Sequence, residues 1–385
     1  MPTIIVSGAL ANKPGNAGGA WERLSWAGGL RRLRLDVYFV EQIGRRSCVD
    51  DRGAATDFAD SVNARWFRSA TEWFGFRDRS ALVCCDGEQC AGLAWDELIE
   101  LAASCDLLVN LSGHLTLPPL AARIRRKAYI DVDPGFTQFW HADPRTSFKL
   151  EGHDFYFTIG ENIGRPDCPI PTSGLQWRPI RQPVVLDDWP VTRAGEGGRF
   201  TTVASWRGPY GAVEYDGRVL GLKCHEFRKF IELPGRVERN FELALAIDPA
   251  DDSDLRALEE HGWKVVEPRA IAGDAAAFRR YIQQSAAEFS VAQGVYVETN
   301  SGWFSDRTVR YLASGKPALV QETGFSEHLP CGEGLIAFRT VDDAVRGALR
   351  IMSDYDGHCQ AARAIAENYF DSDKVLGKFL QDVGM

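Results

Sequence analysis

Residues 301–317 read Ser301-Gly302-Trp303-Phe304-Ser305-Asp306-Arg307-Thr308-Val309-Arg310-Tyr311-Leu312-Ala313-Ser314-Gly315-Lys316-Pro317. The chain continues through Ala318-Leu319-Val320 into Gln321-Glu322-Thr323-Gly324-Phe325-Ser326-Glu327. Ser305 is a good helix N-cap and Asp306 suits the first turn, where a carboxylate meets the positive end of the helix dipole. Val309, Leu312 and Ala313 recur at helical spacing and predict a buried stripe. Gly315 suits the position just past the helix end, and Pro317 cannot continue the helix. The apolar run Pro317-Ala318-Leu319-Val320-Gln321 predicts a strand. Loop, capped helix, glycine turn and strand make one link of a parallel α/β chain.

The same grammar extends in both directions. Towards the C-terminus, the tail from Val341 is helical by pattern, and Asp371 or Ser372 caps a last helix near Phe370 to Phe379. Upstream, strands are expected at Phe200-Thr201-Thr202-Val203-Ala204, at 241–247, at Trp263-Lys264-Val265-Val266 and at Gly294-Val295-Tyr296-Val297. Between about Cys168 and Gly198, Pro166, Pro169, Pro171, Pro179, Pro183 and Pro190 crowd the chain, and Gly195, Gly197 and Gly198 close the stretch. No regular helix or central strand tolerates that, so an interdomain connection is expected. Before it the alternation starts with Ile4-Ile5-Val6-Ser7. A helix carrying Trp21, Leu24, Trp26 and Leu30 follows, then strands at Asp36 to Val40, Ala81 to Cys85, Leu107 to Leu111 and Ala128 to Val132, with a basic helix around Arg123 to Arg126. Such continuous apolar runs suit strands covered on both faces.

The expected fold is α/β, with two Rossmann-like domains facing a cleft. Residues 1–180 form the first, 181–199 the hinge and 200–368 the second, and residues 369–385 form a helix packing back on the first.

Composition narrows the function. The chain has 385 residues, 45% hydrophobic and 25% charged, which is globular and long enough for two cores. Lys and Arg total 44 against 53 Asp and Glu, a net charge of −9, which argues against a nucleic-acid partner. No apolar stretch reaches the roughly 20 residues of a transmembrane helix. The N-terminus reads as a strand rather than a signal peptide. Nine cysteines, scattered and with Cys84-Cys85 adjacent, form neither a disulfide framework nor a zinc pattern. A reduced, cytoplasmic protein is expected.

In open parallel sheets ligands bind beyond the carboxyl ends of strands. Gly18 and Gly19, at a helix start, allow a backbone to approach an anion. Ser301 and Gly302, ahead of the Ser305–Asp306 helix start, suit a diphosphate, with Arg307 adding a charged contact. Glu322, Thr323 and Gly324 leave a strand where a carboxylate and hydroxyl suit sugar hydroxyls. Arg207 and Lys223, flanking the glycine-rich stretch Gly208 to Gly221, would neutralise a diphosphate leaving group.

The segment Ser301 to Pro317, followed by Gln321-Glu322-Thr323-Gly324-Phe325, resembles the donor-binding end of GT-B nucleotide-sugar glycosyltransferases. Ala17-Gly18-Gly19-Ala20-Trp21, with Gly29-Leu30-Arg31-Arg32-Leu33, resembles the N-terminal domain of a bacterial branch of that group. The resemblance implies transfer of a hexose from a nucleoside-diphosphate sugar, such as a UDP-sugar, to a small-molecule, natural-product or glycan acceptor, with the identity of the nucleotide not carried over. It sets Arg207 and Lys223 where retaining members carry an Arg and Lys pair on the donor diphosphate. Where those members carry two spaced glutamates, Gly302 and Arg310 stand here, and the His-x-Gly-x-x-Ser signature is absent, so the stereochemical course is not carried over.

Transfer requires the acceptor hydroxyl to lose a proton. His114 is the first choice as base, because a histidine accepts a proton near neutrality without large tuning. Asp133 is the second choice, with Asp131 beside it. Asp131-Val132-Asp133 has the spacing of a metal-binding pair but lies in the wrong half for a donor metal, so no metal or other cofactor is expected. A homodimer is allowed but not required. Two other readings share the fold: a nucleotide-sugar 2-epimerase, and a non-catalytic nucleotide-sugar-binding protein.

Overall fold

A computed structural model describes residues 1–146, 150–193, 198–237 and 239–385. The chain forms two compact units. The first comprises Met1–Val132, Ser147–Thr158 and Ser372–Met385, and the second Asp133–Thr146 and Ile159–Asp371.

In the first unit the strands are β1 (Thr3–Ser7), β2 (Asp36–Ile43), β3 (Ser80–Cys84), β4 (Gln89–Gly92), β5 (Leu107–Leu111), β6 (Lys127–Asp131) and β7 (Phe155–Thr158), in the order β4-β3-β2-β1-β5-β6-β7. All neighbours are parallel except β3 and β4. Every residue of β3 and β5 is buried, as continuous apolar runs predict for strands covered on both faces. The order turns at β1: β2 and β3 are added on one side, β5 to β7 on the other. Ser7 of β1 pairs with Asn110 of β5 at that switch point, where parallel sheets leave a crevice beyond their strand ends.

Helix Ala17–Arg32 buries Trp21, Leu24, Trp26 and Leu30. The last helix, Ser372–Asp382, packs on it: Trp26 meets Phe379 edge-on at 5.8 Å. Gly29 permits the close approach, since a Cβ there would lie 2.5 Å from Leu376 Cδ1 and 2.9 Å from Ser372 Cβ.

In the second unit, after short β8 (Trp177–Pro179), come β9 (Phe200–Ser205), the hairpin β10 (Val213–Tyr215) and β11 (Arg218–Leu220), β12 (Phe241–Ala246), β13 (Trp263–Val266), β14 (Ala287–Ser290), β15 (Ala318–Gln321) and β16 (Leu335–Phe338). Six of these make a fully parallel sheet in the order β13-β12-β9-β14-β15-β16, whose switch point lies between β9 and β14. Its core is aromatic. Phe200, Phe227, Phe241, Trp263, Phe289 and Phe338 are buried together, with Phe289 stacked on Phe338 at 5.2 Å.

Four expectations are corrected. Residues 133–146, expected in the first domain, pack in the second unit, because helix Phe136–Ala142 sets Phe136 against Tyr210 and Tyr296 (ring centroids 5.0 and 6.0 Å). The stretch from Ile159 to 180, expected there too, also belongs to the second unit. Gly294–Glu298 is a helix, not a strand; β14 just ahead already fills that sheet position. Arg123 to Arg126 is irregular rather than helical, and the helix is Pro118–Ala121, started by its two prolines. Of the expected hinge, residues 194–197 lie outside the described residues. Among the described residues no helix is long and apolar enough to cross a membrane.

Gly29→Ala is expected to destabilise the first unit by about 1–3 kcal/mol through overpacking against Leu376 and Ser372. Alanine is the better helix former by about 1 kcal/mol, so a neutral or stabilising result in urea denaturation would contradict the tight helix contact.

Candidate active site

At the second unit's switch point one guanidinium ties the two central strands together. Arg307, in helix Asp306–Ala313, donates from Nε to Glu288 Oε1 of β14 (2.7 Å), from Nη1 to the Val203 carbonyl of β9 (2.8 Å) and from Nη2 to Ser290 Oγ of β14 (2.8 Å). Glu288 is fully buried, and burial raises its carboxyl while Arg307 opposes the rise. Arg307 was expected to meet a diphosphate with a free fork. Its fork is instead closed on the sheet, because a buried carboxylate must be paired.

Lys223 opens helix Lys223–Arg228. Burial, then the nearby Arg307, push its ammonium down to about 7, against the pull of Glu288 and Asp306. Its Nζ makes no hydrogen bond or ion pair among the described residues. The cation beside Lys223 is therefore Arg307. Arg207, the expected partner, is bound bidentately by Asp251 (Nε to Oδ2 2.8 Å, Nη2 to Oδ1 2.6 Å), which closes its fork although the side chain is 58% exposed. At the end of β14 the Oε1 of Gln293 is buried without a partner.

The expected donor loops are sewn to each other. Gly302 N–H donates to the Thr323 carbonyl (2.7 Å), Thr323 Oγ1 donates to the Trp303 carbonyl, and Gly324 N–H donates to Glu322 Oε1 (2.7 Å). Ser301 Oγ accepts from Trp303 N–H at 3.2 Å. Gly302 and Gly324 have φ of 75° and 99°, and a Cβ on Gly324 would lie 2.4 Å from Asn162 Nδ2. Ser305 holds the N-cap position without a side-chain cap bond, and Asp306 Oδ2 accepts from Arg310 Nη1 at 3.0 Å. The carboxylate of Glu322 is thus bonded within its own loop, and that of Asp306 within its own helix.

The first unit's switch point is polar too. Glu41 of β2 is fully buried and accepts from the backbone N–H groups of Ala11 (2.6 Å) and Asn12 (3.0 Å), fixing the loop after β1. Burial pushes its carboxyl up to about 7, opposed by those N–H groups and by Arg23. Gly18 and Gly19 lie inside helix Ala17–Arg32, and the Gly19 N–H is capped by Asn16 Oδ1 at 2.9 Å instead of facing an anion. Asn110 bonds both backbone groups of Leu115, which fixes the loop carrying His114. His114 was expected to titrate near neutrality. Burial, with Arg23 and Lys13 nearby, pushes it down to about 4, so it is a neutral imidazole at pH 7. Asp131 is buried and accepts from Thr158 Oγ1 at 2.7 Å. Asp133 belongs to the second unit and accepts from the Tyr210 hydroxyl at 3.2 Å. Among the described residues no group of three or more His, Cys, Asp or Glu side chains is placed to hold a metal ion.

Sequence reasoning missed Glu288 and Glu41. The signal was an acidic residue inside an apolar strand run, which burial forces to find a partner or take up a proton.

No protein-family model and no curated protein matches the sequence. Solved structures match along the whole chain. HepE of Anabaena in complex with UDP-glucose is 14% identical, covering 99% of this chain and 100% of that one, with a TM-score of 0.58. An alpha-glucosyltransferase in complex with UDP is 11% identical, covering all of both chains, at 0.62. A sucrose-phosphate synthase from Thermosynechococcus elongatus is 10% identical, covering 100% and 99%, at 0.55. The fold of this chain is the one these proteins share, the GT-B fold of two Rossmann-like units.

Arg307→Ala is expected to cost about 3–5 kcal/mol of stability by leaving Glu288 buried and unpaired. Arg207→Ala, at an exposed ion pair screened by solvent, should cost far less. Urea midpoints of the two variants compare them directly. Glu41 gives a pH test. Its pKa is raised above the usual carboxylate value, so its stabilisation is present below about pH 4.5 and is lost as pH rises through 7. Stability should fall by roughly 3 kcal/mol across that window, and Glu41→Gln should remove this part of the profile.

Proposed function

We propose that this protein is a glycosyltransferase that transfers a hexose from a UDP-sugar to a hydroxyl of a small-molecule or glycan acceptor. The observation that carries the reading is Lys223. An unpartnered ammonium, beside a guanidinium already fixed to the sheet, stands at the switch point where parallel sheets bind ligands. Two cations held there suit the charge that develops on a departing diphosphate, and being pre-positioned they need no reorganisation as the bond breaks. The shared fold with structures holding UDP or UDP-glucose supports a nucleotide donor. In this proposal side chains, rather than a divalent cation, meet the leaving group. The alpha-glucosyltransferase has also been solved with UDP and a 13-mer DNA. For this chain the net charge of −9 favours an acceptor that is not a nucleic acid. Nine free cysteines favour a reducing, cytoplasmic setting.

His114, neutral at pH 7, is assigned to the acceptor hydroxyl, whose proton its imidazole accepts. Burial, then Arg23 and Lys13 nearby, disfavour the imidazolium and so keep the ring in its proton-accepting neutral form. His114→Ala should lower transfer by about 10²–10⁴-fold with UDP affinity unchanged. Near-normal turnover would move the role to Asp133.

Lys223 sets the pH dependence of donor binding. A bound diphosphate favours the charged ammonium, so above pH 7 binding takes up a proton and affinity falls as pH rises. Calorimetry with UDP should show that decline in the native protein and not in Lys223→Ala, which should bind about 1.5–3 kcal/mol more weakly at pH 6.5. Equal affinities would remove Lys223 from the donor site. Incubation with a panel of UDP-sugars and acceptors, with a chelator present, tests the reaction itself. Epimerised free donor would indicate a 2-epimerase, and binding without turnover a non-catalytic protein.

A further inference from the structure

The sulfurs of Cys84 and Cys85 lie 3.0 Å apart at the end of β3, away from both switch points. Successive side chains of a strand point to opposite faces of the sheet, so adjacent cysteines in a strand cannot bring their sulfurs together. Here the backbone turns left-handed immediately after the strand, with φ of 55° at Cys85 and 57° at Asp86. That turn brings the Cys85 sulfur back beside its neighbour's. Non-glycine residues adopt this conformation at a cost, here within the connection between the antiparallel strands β3 and β4.

The two thiols have different surroundings. Cys84 is 1% exposed, and burial together with the sulfurs of Cys85 and Cys48 pushes its thiol well up, so it keeps its proton. Cys85 is partly exposed and receives a hydrogen bond from Arg45 Nε at 3.4 Å. A cationic donor on an accessible sulfur favours its attack as a nucleophile. A buried thiol in contact with that sulfur is placed to resolve the product.

We propose that Cys84 and Cys85 form a modification site that a hydroperoxide oxidises to a vicinal disulfide. The Cys85 sulfur attacks one peroxide oxygen and the O–O bond breaks. Cys85 becomes a sulfenic acid, and the departing oxygen takes the Cys85 proton and leaves as water or an alcohol. The Cys84 sulfur then attacks the Cys85 sulfur and the S–O bond breaks. The hydroxide released takes the Cys84 proton and leaves as water. Two thiols are oxidised by two electrons and one peroxide is reduced. The step is reversed by thiol–disulfide exchange, as a reducing compartment would require.

The test treats the full-length protein with hydrogen peroxide, alkylates the remaining thiols and maps the peptides by mass. Cys84 and Cys85 should lose alkylation together, in a peptide lighter by two hydrogens, and dithiothreitol should restore both. In Cys84→Ser the reaction should stop at a Cys85 sulfenic acid that dimedone traps. In Cys85→Ser, Cys84 should stay reduced, and Arg45→Ala should slow the oxidation. The proposal fails if Cys84 and Cys85 stay alkylatable at peroxide concentrations that oxidise the exposed Cys331. It fails equally if either pairs with Cys90, or if Cys85 proceeds to sulfinic acid while Cys84 remains free.

Discussion

The buried ion pair of Arg307 with Glu288 joins the two halves of the second unit's sheet. β9 and β14 begin their pairing at Ala287 and Phe200 but run side by side only briefly. Beyond that point their ends are bridged by the guanidinium, which reaches the Val203 carbonyl on one strand and Ser290 on the other. A charge buried this way is expensive, and the surrounding donors and acceptors make it tolerable. Helix Asp306–Ala313 is thereby fixed at its N-terminal turn, and the sewn loops around Gly302 and Gly324 start from that fixed point. Among the described residues Lys223 is a cation this arrangement leaves without a partner.

The two units each bury a carboxylate near the switch point and match it with different partners. In the second, a buried carboxylate is matched by a guanidinium. In the first, Glu41 is matched mainly by backbone N–H groups, which favour the anion but do not outweigh burial, so its carboxyl is left at about 7. Both carboxylates hold a loop at a strand end. Only the second also leaves a neighbouring cation poised for an anion.

Much of the fold was legible because apolar runs and helix caps are local. Ser305, Asp306 and Gly315 bound a helix the structure gives as Asp306–Ala313, and the runs at Leu107 to Leu111 and Phe200 to Ala204 are strands. Gly294 to Val297 misled because a short β-branched, aromatic run has no period to distinguish strand from buried helix. The site was legible only as a region. Which cation is engaged depends on pairings across the fold: Arg207 with Asp251 and Arg307 with Glu288 are set by strand order, and no local pattern encodes them. His114 was located by its place after β5, while its low basicity comes first from burial in the folded unit and then from Arg23 and Lys13, on a different helix and loop.

The first unit is assembled from both ends of the chain, since Ser372–Met385 supplies the helix that covers Trp26 and Gly29. During synthesis that apolar face stays open until residues 372–385 have been made, although residues 1–132 of the unit were made long before. The unit therefore matures last, and a ribosome that stalls or terminates early releases a chain whose first-made sheet still carries an uncovered helix. Burial of helix Ala17–Arg32 thus waits on a segment made some 340 residues later.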